Sequence, residues 1–419
     1  MSGTNVGKGA PISFGSPEFQ KECRFAAYDR LRNEAPVYRD PLTGNYVLTR
    51  YADIRAALIN HKVFSSDAGM VGTRVSPVRK EVDEIYLAKG PLPGRNLQTY
   101  DPPEHKVHRA PVDRAFDRWN VMALNDFMRE VSNKYIDAFI DKGKVEFVKE
   151  FAELFPLHII ADQLGLPVED SPRIKLWADT AVEEINPVLT PEREIEIAHI
   201  LAGMYEYFQI VLERMRRSPD NRLVSKIVQT VDPSGNPLDM SEMLEVMRAI
   251  VVAAGDTTTL GLGGGMRLLI ENPQAAVHLR DNPKDIAAFV EETLRIVSPV
   301  QTLFRRTRED FTLHGVTIPK GAIVEVRYGA GNLDPEKFEC PRRLDINRNN
   351  AKAHLAFGVG EHICLGMQLA RAEMNVAFET ILARMENFGL VGDSDGFEET
   401  PSYIANGPTR LYMTFDRRV

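Results

Sequence analysis

The sequence predicts a mainly α-helical fold with small β-sheets, and three observations carry that prediction. Helical segments follow one another between about residues 105 and 217, broken at the Pro-bearing stretches GLPVEDSP and INPVLTP. A longer helical run, EMLEVMRAIVVAAGDTTTLGLGGGMRLLIEN, begins near Asp239 or Ser241 and stops at Pro273. Strand-like alternation is confined to residues 36–50, with a turn at DPLTGN, and to FTLHGVTIPKGAIVEVRYG.

Taken in chain order, the N-terminal MSGTNVGKGAPISFG has neither the basic nor the apolar region of a signal peptide, and no stretch reaches eighteen uninterrupted apolar residues. The three cysteines, Cys23, Cys340 and Cys364, lie far apart, without disulfide or zinc-site spacing. A reduced, cytosolic setting without a membrane anchor is expected. A net charge of −8 argues against a general nucleic-acid or anionic-membrane binder. The break at INPVLTP is expected to join two helices over a pocket. The long helix spans about 45 Å at 1.5 Å per residue, enough to cross a domain. Its centre holds Gly255, three consecutive threonines, and Gly261, Gly263, Gly264 and Gly265. Each Gly destabilises a helix interior by roughly 1 kcal/mol relative to Ala, so packing must stabilise this run, and its small residues let a bulky group approach the backbone.

Residues 357–366 read FGVGEHICLG and precede an amphipathic run, MQLARAEMNVAFETILARM. Glycines before a Cys at a helix start let the backbone turn tightly and aim amide N–H groups at the sulfur, which favours a thiolate. This segment resembles the haem-binding signature of the cytochrome P450 family at Phe357, Gly358, Gly360, His362, Cys364 and Gly366. The chain is similar to the soluble bacterial branch over nearly its whole length. The resemblance implies the P450 fold, in which haem b (heme b, iron protoporphyrin IX) lies between the long central helix and the Cys loop with its helix, and Cys364 is the axial iron ligand. It implies one catalytic domain over residues 1–419; with about fifty residues after Cys364, no fused reductase is expected.

Further motifs follow from the resemblance. EETLR matches the family's structural ExxR pair as Glu292 and Arg295, with Arg343 of CPRRLD as the expected third member. DPPEHKVHR places His105 and Arg109 four apart on one helix face, resembling the family's haem-propionate binders. Arg305, with Arg306 as the neighbouring register, and His362 complete that set; His354 is either a further member or structural. In the long helix, AAGDTTT admits two registers for the family's acid–alcohol pair: Asp256 with Thr257, or an alcohol at Thr258. Counting back from Pro273 and Glu292 favours Asp256 and Thr257. Such a pair delivers protons to reduced dioxygen in an otherwise dry pocket.

The implied activity is that of an oxidoreductase, a haem-thiolate monooxygenase inserting one oxygen atom of dioxygen into a small or medium hydrophobic substrate. Electron transfer is expected from a separate ferredoxin and NAD(P)H-dependent reductase, docking near Lys106, Arg114, Arg118 and Lys352. By analogy the pocket draws on residues 66–100, the helix pair around Ile185, Ala253, Val300, Leu303 and Ile404, which are mainly apolar. Lys89 and Arg95 would meet a substrate carboxylate if turned inward. A peroxide-using haem-thiolate enzyme and a haem-based carrier or sensor are the competing functions; the retained Asp256–Thr257 pair argues against the first and is not required by the second.

Overall fold

A computed structural model of the chain describes residues 11–16, 24–68, 76–184, 189–231, 235–392, 396–399 and 402–418. The expected contributions of Cys23 and Ile185 lie outside them. The central element is the helix Met240–Glu271. Asp239 starts it with a reciprocal cap: its Oδ1 accepts from Glu242 N at 2.7 Å, and Glu242 Oε2 accepts from Asp239 N at 3.0 Å. Its apolar side chains join the larger of the cores, together with the helices Leu154–Gln163, Ser171–Glu183, Pro191–Arg217, Ile286–Val297 and Met367–Arg384.

The glycine run is a packing device for protein neighbours. A Cβ at Gly264 would meet Val297 Cγ2 at 2.5 Å, and one at Gly265 would meet Phe378 Cζ at 2.5 Å. The helices Ile286–Val297 and Met367–Arg384 can therefore sit against the central backbone, and that close packing offsets the glycines' poor helix propensity. The bulky group expected at this run is a pair of neighbouring helices.

The strands form small sheets at the periphery. One has Val37–Arg39, Tyr46–Leu48, Ile323–Val326, Leu303–Thr307 and Phe64–Ser65 in that spatial order, with only the Tyr46–Leu48/Ile323–Val326 pair parallel. A second is built on Pro408–Arg417, flanked by Phe397–Glu399, Lys144–Glu146 and Met385–Leu390. Leu303–Thr307 brings residues after the Ile286–Val297 helix back toward the Cys loop. Alternation along it buries Arg305 and leaves Arg306 to pair with Asp67 at 3.3 Å.

Beneath the Cys loop lies a buried charge network. Glu292 and Arg295 are completely buried and joined by two hydrogen bonds of 2.6 and 2.9 Å. Arg295 also donates to the carbonyls of Pro341 and Asn332, at 2.6 and 3.0 Å, tying the segment 332–341 to this helix. The Arg343 side chain, expected to complete the network, does not: it is 69% exposed and pairs with Asp345, and only the Arg343 carbonyl joins, accepting from Arg295 at 3.4 Å. Arg348 takes that place, its Nε lying 3.0 Å from Glu292 Oε1 with its side chain 6% exposed. The chain turns at Asp345, whose N–H donates to Glu292 at 3.1 Å, so the inward-facing arginine comes five residues later than expected.

Candidate functional site

Cys364 lies where the Cys loop meets the helix Met367–Arg384, with its N–H donating to the Phe357 carbonyl at 2.8 Å. Gly358 and Gly360 take φ of +66° and +81°, a left-handed conformation that glycine adopts without strain. Burial pushes the Cys364 thiol up, while the Gly366 N–H and the Arg109 and Arg371 charges pull it down. A thiolate held here calls for a cation on its open side. Phe357 lies against the loop's outer face, with the Arg371 guanidinium 4.7 Å from its ring centroid.

A cluster of histidines and arginines adjoins the cysteine. The His105 and His362 rings stand 4.2 Å apart, centroid to centroid. Both nitrogens of His105 and Nε2 of His362 are buried without a hydrogen-bond partner among the described residues. His362 is held down to about 3 by burial first, then by His105 and Arg305. Arg305 is 6% exposed, and Arg109 bonds to Asp113 Oδ1 at 2.6 Å. Orphaned ring nitrogens among two arginines fit a group carrying carboxylates, which would protonate and pair with them. The donor set therefore fits the haem the sequence implies: a sulfur ligand on one side and propionate partners at the edge. His354 stands apart from this set. It bonds Glu291 Oε2 at 3.1 Å and accepts from Ala356 N at 3.1 Å, and Glu291 also takes Arg371 at 2.6 Å. It is a structural histidine.

The central helix carries an open face. Ala253 is exposed and Ala249, Val252, Asp256 and Thr257 are only partly covered, although the helix crosses the core. Thr257 Oγ1 donates to the Ala253 carbonyl at 2.9 Å. Thr258 points away into the core, where its Oγ1 donates to Glu373 Oε2 at 3.2 Å. Asp256 pairs with Lys175 at 3.1 Å, and Lys175 also binds Asp179. Val300 bridges to Ala405, and Gln301 N donates to the Ile404 carbonyl at 2.6 Å. Val300 and Ile404 thus lie on neighbouring segments, and Leu303 begins the strand that follows, paired with Val326. Lys89 and Arg95 are engaged elsewhere, with Glu206 at 2.6 Å and Glu104 at 3.2 Å.

Behind the cysteine is a concavity of about 560 Å³ lined by Arg55, Lys337, Lys352, Phe357, Met367 and Arg371, among others. Of the basic residues expected to form a patch, Lys352 lines it, Lys106 pairs with Glu361 at 3.5 Å, and Arg114 and Arg118 are exposed outside its lining. Glu373 and Arg348 escaped the sequence reading. Apolar Leu369 and Ala377 at four-residue spacing mark Glu373's face as inward, whereas nothing local separates Arg348 from Arg342 and Arg343.

Comparison with known proteins identifies the family and the fold. The sequence model of the cytochrome P450 family matches residues 191–391. The chain is 31% identical to Cytochrome P450 109 of Bacillus spizizenii over 92% of its length and 90% of that protein's. It is 31% identical to the Vitamin D(3) 25-hydroxylase of Pseudonocardia autotrophica over 94% of each chain. Its fold superimposes on cytochrome P450 CYP109Q5 from Chondromyces apiculatus with a TM-score of 0.83 and 28% identity, covering 97% of this chain and 98% of that one. With the fold, the cysteine loop and relatives spanning nearly its full length in accord, the chain belongs to the cytochrome P450 family of monooxygenases.

Proposed function

We propose that this enzyme holds haem b through Cys364 and inserts one oxygen atom of dioxygen into a hydrophobic substrate lying against Ala253, Val300, Leu303 and Ile404. When bound, the haem would supply the binding and reductive activation of dioxygen, with the Cys364 thiolate as the residue that holds its iron. His105, Arg109, Arg305 and His362 orient it by its propionates. Thr257 presents its hydroxyl to the chamber while anchored to the Ala253 carbonyl. Asp256, 43% exposed and held by Lys175, carries protons from solvent toward Thr257 when that pair opens. Thr258 has no such position, since its hydroxyl serves Glu373. Electrons come from a separate ferredoxin and its NAD(P)H-dependent reductase. The ferredoxin docks on the basic concavity behind Cys364, where Arg55, Lys337, Lys352 and Arg371 complement an acidic surface. The 25-hydroxylase relative supports a bulky hydrophobic substrate and hydroxylation as the reaction type.

The observation that carries this reading is the pairing of His105 and His362, with orphaned nitrogens, beside Cys364. The test is the absorption of the reduced carbon monoxide complex. The native protein is expected to show the strongly red-shifted Soret band of thiolate ligation, and Cys364→His to lose it. A histidine-like band in the native protein would overturn the assignment.

A further inference from the structure

Above the open face of the central helix lies a buried polar cluster that the reaction does not use. Glu245 is 4% exposed, and its Oε1 accepts from the Tyr205 hydroxyl at 2.6 Å and from the Gly94 N–H at 3.0 Å. Its Oε2 has no hydrogen-bond partner among the described residues, although the Asn96 side chain stands beside the carboxyl. Tyr86, 2% exposed, packs edge-on against Tyr205 with ring centroids 5.6 Å apart, and its hydroxyl is likewise unpartnered. Arg248 closes the cluster and is bonded to Glu184. These groups come from five separate parts of the chain: the helix Arg79–Leu87, the loop carrying Gly94 and Asn96, the residue that follows Ser171–Glu183, Pro191–Arg217 and the central helix.

Glu245 shares its helix face with the chamber. Residues 245, 249 and 253 follow at four-residue spacing, and the last two are the partly covered and exposed alanines that line it. Two buried oxygens, one on Glu245 and one on Tyr86, lose their hydration with nothing in exchange unless something reaches them. The complement must donate to Glu245 and accept from Tyr86, and a hydroxyl carries both functions. A carboxylate would face Glu245 and Glu184 against the single charge of Arg248. An ammonium would leave the Tyr86 proton unmatched and lie near Arg248. Burial raises the Glu245 carboxyl above its ordinary value, which further favours a neutral partner.

We propose that Glu245 and Tyr86 form a hydroxyl-recognition subsite on the order of 12 Å along the helix from Ala253, so that the substrate is a neutral hydrophobic alcohol oxidised at the end remote from its hydroxyl. The inference rests on the monooxygenase reading of the chamber and adds the substrate class. Binding to the haem-loaded protein is measured by calorimetry with androstanol against androstane and with dodecanol against dodecane, dodecylamine and dodecanoate.

At least one alcohol is expected to bind roughly tenfold more tightly than its hydrocarbon, and more tightly than the amine or acid. In Tyr86→Phe and Glu245→Gln that preference should shrink to about threefold or less, with hydrocarbon affinity as the control for an intact chamber. Equal affinity for alcohol and hydrocarbon in both series, tighter binding of the amine or acid, or a preference that survives both substitutions would overturn the proposal. The carbon monoxide spectrum separates this from the function itself: a thiolate band without alcohol preference sinks only the subsite, and an alcohol preference without the band sinks only the haem assignment.

Discussion

Cys364 shows how far a single residue's chemistry depends on its neighbours. Burial alone would keep the thiol protonated, and the Gly366 N–H and two arginines counter it only in part. The neighbouring threonines differ in direction: one helix position separates Thr257, bonded to the Ala253 carbonyl, from Thr258, bonded to Glu373. Thr257→Ala is expected to retain haem and substrate binding while diverting reducing equivalents to peroxide, with coupling down about tenfold; Thr258→Ala should stay coupled. Measuring peroxide released per NAD(P)H consumed checks both, and the opposite pattern would reverse the register. Glu373 itself is raised from 4.5 to about 8 because burial penalises its charge. It is neutral in the fold and ionised in the unfolded chain between those values, so stability falls as pH rises from 4.5 and levels off above about 8. Glu373→Gln should remove that decline, gaining a few kcal/mol at alkaline pH and almost nothing near the unfolded value, as read from melting temperature against pH.

Among the elements, the helix Ile286–Val297 anchors the Cys loop through two adjacent acids. Glu292 holds Arg295 and Arg348, while Glu291 holds His354 and Arg371 on either side of the loop. Glu291 is lowered to about 2: burial opposes its charge, but His354 and Arg371 outweigh that. Its contribution is present above the ordinary carboxylate value and is lost as pH falls through about 2. Removing Arg348 leaves Glu292 with Arg295 but takes away a buried charge–charge contact, a loss of about 1.5–3 kcal/mol. Arg348→Ala should therefore destabilise the protein by that order and reduce haem retention, whereas Arg343→Ala should change stability by less than about 0.5 kcal/mol. Urea unfolding of the two variants side by side discriminates them, and equal effects would refute the assignment of Arg348.

For the whole molecule, a net charge of −8 conceals a basic concavity behind the cysteine. Long-range steering depends on local potential, so an acidic electron donor can be guided to this face of an acidic protein. Lys352→Glu and Arg55→Glu are each expected to slow ferredoxin-driven haem reduction about tenfold at low salt and to flatten its ionic-strength dependence. Stopped-flow reduction at several salt concentrations measures this; unchanged rates would place the donor elsewhere.

What the sequence by itself determined was whatever is encoded locally. The helical class, the Asp239 cap, the Cys loop and the four-residue spacing of His105 and Arg109 follow from backbone preferences and contiguous motifs. Tertiary structure alone decided which charges are buried together. Arg348 displaced Arg343 because the turn at Asp345 sets which side chain faces inward, and His354 became structural because Glu291 reaches it. Glu245, Tyr86 and Tyr205 meet only when three helices and a loop converge. Such groupings depend on packing between distant segments, where burial strengthens each charge and each missing partner, and no local pattern records that environment.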